Sequence, residues 1–172
     1  MSSQLKAKIR DVPDFPEPGI VFKDIMPLLA DPATLHETVD LLAGWIEPRK
    51  PDLIIGGEAR GFILGAAVAY KLGCGFAAAR RPGKLPWKTV SASYALEYGE
   101  NSLELHVDGI PSGARVLVHD DLLATGGTAA AICDLVEQLG GEIVGLAFVI
   151  ELTFLEGRKH LEKYDVHSLI TY

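Results

Sequence analysis

The chain has 172 residues, 48% of them hydrophobic, with a mean hydropathy of +0.21; this excludes a disordered chain and fits one globular domain with a proper core. Sixteen Lys and Arg against 23 Asp and Glu leave a net charge of −7, which argues against general nucleic-acid or membrane-surface binding. Charges interrupt every apolar run, the first ten residues lack a signal-peptide core, and Cys74 and Cys133 sit among small apolar residues without metal-type spacing, so the expected setting is the reducing cytoplasm.

Residues 1–10 read as a short amphipathic helix. Residues 11–30 carry four prolines and read as an irregular arm. Asp31-Pro32 is a helix start, and Leu35, Val39, Leu42 and Ile46 give that helix one apolar face through Glu47. Leu53–Gly57 reads as a buried strand. Gly61–Leu72, small and apolar on most sides, reads as a helix packed between layers, with residues 76–79 a second strand. Arg80, Arg81, Lys84 and Lys88 then fall within nine residues that contain no acid. An acidic protein that binds a polyanion has to concentrate positive charge locally, and this is its densest cluster.

Residues 89–107 alternate in a strand-like way around Gly99-Glu100-Asn101, which predicts a hairpin standing off the main sheet. With the arm, it is well placed to cover a site. Val116–Val118 is a strand and Thr128–Leu139 a helix with Ala129, Ile132, Cys133, Val136 and Leu139 on one face. Gly140-Gly141 stops it. Ile143–Leu152 is another buried strand, a short polar helix falls near residues 156–163, and Val166–Ile170 is the last strand. Continuous apolar strands separated by helices predict an α/β fold, a central mainly parallel sheet flanked by helices. Ligands of such sheets sit beyond the carboxyl ends of the strands.

Residues 115–128 carry the chemistry. An apolar run ends in two carboxylates, Asp120 and Asp121, able to accept hydrogen bonds from ribose hydroxyls or to hold a metal. Ala124, Thr125, Gly126, Gly127 and Thr128 then open a helix. Backbone N–H groups, threonine hydroxyls and the positive helix end suit a phosphate monoester. No lysine follows the glycines, so this is not a nucleotide-hydrolysing loop.

This segment closely resembles the phosphoribosyl pyrophosphate signature of type I phosphoribosyltransferases, specifically the adenine phosphoribosyltransferases. Four further segments match in order. Residues 14–25 are similar to the family's N-terminal arm and Gly57–Phe62 to its pyrophosphate loop. Gly83–Pro86 resembles a basic turn, and residues 94–99 resemble the mobile hood. The resemblance implies one domain over 1–172, with hood elements at about 11–30 and 83–107. It also implies the reaction of adenine with phosphoribosyl pyrophosphate to give AMP and pyrophosphate, with Mg²⁺ bound mainly through substrate oxygens, in a homodimer.

On this resemblance Ala124–Thr128 bind the 5′-phosphate, and Asp120 and Asp121 hold the ribose hydroxyls rather than serving as primary metal ligands. Glu58, Ala59 and Arg60, with Arg80, Arg81 and Lys84, meet the pyrophosphate. Glu58-Ala59 is the place to look for a cis peptide. Val21, Phe22 and Lys23 hold adenine, by stacking on Phe22 and by backbone contacts of its neighbours. Relatives often carry arginine where this chain has Lys23, which leaves a backbone contact there rather than a planar side-chain one. Glu97 is the proton-handling group. His119, where relatives tend to be apolar, and Trp87 receive no role. Two other readings stay open: the same fold acting on xanthine, hypoxanthine, guanine or orotate, and a regulator that only senses phosphoribosyl pyrophosphate.

Overall fold

The computed structural model describes residues 2–95 and 100–172. Five strands form one wholly parallel sheet: β3 (Leu53–Gly57), β4 (Gly75–Ala79), β7 (Arg115–Leu123), β8 (Glu142–Glu151) and β9 (Val166–Thr171), in the order β4-β3-β7-β8-β9. Every residue of β3 is buried, as a central parallel strand requires. Helices α3 (Pro32–Ile46), α4 (Gly61–Leu72) and α5 (Gly127–Gln138) cover its faces. Strand alternation divides the core in two. Ile55, Val116 and Val118 pack with Ile132 and Val136 of α5, while Ile54 and Leu117 pack with Leu42 of α3 and Leu64 of α4.

Local chemistry sets the helix ends as expected. Asp31 Oδ1 accepts from the N–H groups of Ala33 (3.0 Å) and Thr34 (3.2 Å), with Pro32 in the first turn of α3. The polar segment after β8 is two 3₁₀ turns, Thr153–Leu155 and Gly157–Leu161, not a regular helix.

The arm corrects the sequence reading. It is ordered, not irregular: β1 (Arg10–Pro13) pairs antiparallel with β2 (Val21–Asp24), and a short helix α2 (Met26–Ala30) follows. Two cross-strand ion pairs, Arg10–Asp24 and Lys23–Asp11, both at 2.6 Å, hold this exposed ribbon together. The hairpin of β5 (Thr89–Ala95) and β6 (Glu100–His106) is a sheet of its own, as predicted. Its base is anchored, however. Ala92, Leu103 and Leu105 are buried in the α5 core, and Arg80 bridges Glu104 beyond the end of β4. No helix of the described residues is long and apolar enough to cross a membrane.

Candidate active site

A cavity of about 450 Å³ opens at the carboxyl ends of β3 and β7, where ligands of open parallel sheets bind. Residues 58–60 form one wall, 120–122 with Ala124, Thr125 and Thr128 another, and Arg81 with residues 101–103 of β6 the third. A smaller hollow of about 70 Å³ lies against residues 122–126, 128 and 129.

The floor of that hollow is a loop folded by glycine. Gly126 has φ +87°, a left-handed conformation that β-carbon-bearing residues rarely adopt, and it sits at the cap of α5 without a side-chain cap. The first N–H groups of a helix have no intrahelical partner, so this end offers donors and a positive potential to an anion. The loop is backed by a turn that sequence reasoning missed. A Cβ on Gly157 would lie 2.2 Å from the Ala124 carbonyl oxygen, and one on Gly126 would lie 2.3 Å from that of Gly157. The two segments meet backbone to backbone. Arg158 secures the turn, donating to both carboxylate oxygens of the buried Glu151 at 2.7 Å each and to the Val166 carbonyl at 2.9 Å. The pair lowers the Glu151 carboxyl below its ordinary range, chiefly through these hydrogen bonds. Nothing local in residues 151–158 signals this contact, which joins positions about thirty apart in the chain.

Asp120 and Asp121 lie within β7, three and two residues before its end, and alternation turns their side chains apart. The Asp120 carboxyl is wedged between strand β3 and the start of α4. Cβ atoms on Gly57 and Gly61 would each come within 2.8 Å of it. Its Oδ1 accepts from the Asp121 N–H at 2.9 Å. Burial first, and then the adjacent Asp121 charge, raise the Asp120 carboxyl well above its ordinary range. Asp121 is also buried, but it is paired: Arg60 Nε donates to its Oδ2. The same guanidinium lies 5.0 Å from the centroid of the Phe22 ring. Arg60 therefore touches both the arm and the carboxylate.

A model of the phosphoribosyl transferase domain matches residues 28–171. A protein of Thermotoga maritima named adenine phosphoribosyltransferase is 56% identical over 168 residues, covering 98% of this chain and 97% of its own length. The chain belongs to the adenine phosphoribosyltransferase family. The crystal structure of the adenine phosphoribosyltransferase of Thermoanaerobacter pseudethanolicus superimposes with a TM-score of 0.98 at 52% identity, covering all of both chains. That of Saccharomyces cerevisiae, complexed with adenine and an imino-altritol bisphosphate, gives 0.94 at 39% identity, covering 98% of this chain and 97% of its own. The α/β fold is thus that of the type I phosphoribosyltransferases.

Within this adenine phosphoribosyltransferase scaffold the anticipated residues divide. The cavity gathers Glu58, Ala59, Arg60, Arg81, Asp120, Asp121, Ala124, Thr125 and Thr128, and the Glu58-Ala59 peptide is cis. Arg80 reaches the site indirectly: its guanidinium meets Glu58 at 3.3 Å, and the Arg81 N–H donates to the other Glu58 oxygen at 2.8 Å. The Arg81 N–H first, and the Arg80 side chain after it, hold the Glu58 carboxyl below its usual range. Lys84 is exposed on the turn, offers its carbonyl to Arg80 at 3.1 Å, and does not line the cavity. Val21, Phe22 and Lys23 form β2 outside the cavity wall, joined to it through Arg60. The Lys23 ammonium is bound to Asp11, so the residue offers the site its backbone rather than its side chain. Trp87 is largely exposed. Glu97 lies outside the described residues. Asn101 and Ser102, which sequence reasoning did not single out, face the cavity from β6.

His119 is a buried histidine at the back of the site. Its Nδ1–H donates to the Ala147 carbonyl at 2.8 Å, and its Nε2 has no partner among the described residues. Burial lowers it from 6.5 to about 4. The folded protein therefore refuses a proton that the unfolded chain accepts below about pH 6.5. Stability should be intact above that pH and fall as pH drops toward 4, by up to about 3 kcal/mol. His119→Val is expected to flatten that slope in urea titrations between pH 4 and 7, whatever its effect at neutral pH. An unchanged slope would place the acid sensitivity elsewhere.

Proposed function

We propose that the chain transfers the 5-phosphoribosyl group of phosphoribosyl pyrophosphate to adenine, forming AMP and pyrophosphate. The observation that carries this reading is the juxtaposition in one cavity of a glycine-rich helix start, two adjacent carboxyls and Arg60. The related yeast enzyme, solved with adenine and a bisphosphate, supports the choice of base.

In this reading Ala124–Thr128 bind the 5′-phosphate, and Asp120 and Asp121 hold the ribose hydroxyls from either side of β7. As the C–O bond to pyrophosphate lengthens, positive charge grows on the ribose ring, and the Asp121 carboxylate favours it. Arg60 and Arg81 neutralise the departing pyrophosphate, with Arg80 steadying the loop through Glu58 and Lys84 shaping the turn behind it. The base stacks on Phe22, and the backbone of Val21 and Lys23 reads its edge. Attack by N9 on C1′ releases the N9 proton, which Glu97 takes up. Mg²⁺ would reach the site on substrate oxygens and add charge neutralisation to the leaving group. The lining fits such an ion, because the Asp120 and Asp121 carboxyls are oxygen donors of the kind a hard cation takes. The same reading makes the protein a cytoplasmic homodimer.

Pyrophosphate release measured with Mg²⁺, phosphoribosyl pyrophosphate and each of five bases tests the proposal. Release with adenine alone is the expected result. Release with xanthine, hypoxanthine, guanine or orotate instead would reassign the base. Tight phosphoribosyl pyrophosphate binding without release for any base would make the protein a sensor.

A further inference from the structure

The ribbon that holds the base is fastened at a point outside the cavity. Lys23 places its ammonium 2.6 Å from Asp11 Oδ1 and 4.1 Å from the centroid of the Tyr172 ring, and its side chain is only 12% exposed. Lys6 of α1 (Ser2–Ala7) brings a second ammonium to 4.0 Å from the same ring and donates to the Thr171 carbonyl at 2.7 Å. Tyr172 itself is pinned. Its N–H donates to the Glu151 carbonyl at 3.0 Å, and its carbonyl accepts from the Thr153 N–H at 3.0 Å and hydroxyl at 2.7 Å. One residue before Thr153, the Leu152 N–H donates to the carbonyl of Leu123, the last residue before the proposed phosphate loop, at 2.9 Å. A continuous path of contacts therefore joins the base ribbon to the strand end that bears the phosphate loop, and Tyr172 is its middle link.

We propose that Tyr172 is a positioning residue for the base site, holding Lys23 on its ring face and so fixing where Val21–Lys23 stand relative to the phosphate loop. This rests on the reading that residues 21–23 hold the base. An aromatic face attracts an ammonium through its quadrupole, which phenylalanine keeps and leucine lacks. Transfer between a base and a sugar held by separate segments depends on the distance between those segments. A ring that fixes this distance acts on adenine without touching it.

Steady-state kinetics of the full chain test the assignment. Tyr172→Leu should raise KM for adenine about fivefold, leave KM for phosphoribosyl pyrophosphate within about twofold, and be rescued by Tyr172→Phe. Lys23→Met should give the same rise, and the double variant should be no worse than either single change. Parent-like adenine KM in Tyr172→Leu, a joint rise of both KM values, or additive effects in the double variant would overturn the proposal. Phe22→Ala separates it from its premise. A raised adenine KM there with none in Tyr172→Leu removes only the role of Tyr172. An unchanged adenine KM in Phe22→Ala removes the base-site reading, and the proposal with it.

Discussion

Gly157→Ala is expected to lower kcat/KM for phosphoribosyl pyrophosphate about a hundredfold, although residue 157 lies outside the proposed phosphate loop. The added methyl carbon would fall 2.2 Å from the Ala124 carbonyl oxygen, 3.0 Å from Leu123 Cδ1 and 3.1 Å from the Gly126 nitrogen. Two of these three neighbours are backbone, which cannot swing aside as the end of a side chain can. Relief has to come from moving the loop or the turn. The turn is held by the two-pronged Arg158–Glu151 pair, so the loop gives way. Displacing a phosphate cradle by about an ångström costs roughly two orders of magnitude in rate, because every donor in it is aimed at one anion. Gly44→Ala in α3 is the control, since none of the described residues comes within 4 Å of its Cβ position. Circular dichroism should show both variants folded. Activity of Gly157→Ala within a few-fold of the parent would mean that this contact does not seat the loop.

Asp121→Asn is expected to move two ligands in opposite directions. Ribose 5-phosphate should bind about thirtyfold more weakly, the cost of a hydrogen bond to a charged acceptor. Inorganic pyrophosphate should bind about threefold more tightly, because Arg60 no longer has to leave a charged partner to reach it. Removing a negative charge would also favour any anion, so the measurement needs a cycle with Arg60→Met. In that background the Asp121→Asn change should leave pyrophosphate affinity nearly unmoved in calorimetric titrations. A gain of the same size there would assign the effect to general charge and not to the Arg60–Asp121 pair.

Much of the scaffold was legible because its strands are apolar on both faces and its helices show one-sided patterns. Ile54, Ile55 and Leu117 are fully buried, as their runs implied. The glycine-rich loop before α5, to which we assign the phosphate, was legible as a strand–loop–helix junction for a different reason: its residues are contiguous in one stretch of sequence. The arm was not. Val21 is exposed and the other residues of β2 are half-buried, and the ribbon forms through Arg10–Asp24 and Lys23–Asp11, pairs that span more than ten residues. No periodicity announces such a strand. Gly157, Asn101 and the separate settings of Asp120 and Asp121 were likewise invisible, since each depends on which distant segment comes to lie alongside. A motif names the groups present, but it does not say that one carboxyl will be wedged beside Gly57 and the next claimed by Arg60.

Strand β7, which bears both carboxyls, is the middle strand of the five. It is flanked by paired strands on both edges and packed by helices on both faces, which leaves it little freedom to move. The proposed sugar is thus attached to the part of the molecule that serves as its frame of reference. On the same proposal, base and pyrophosphate are attached to a surface ribbon, a loop and a separate hairpin. On that proposal the reacting carbon stays still, and what approaches or departs does the travelling.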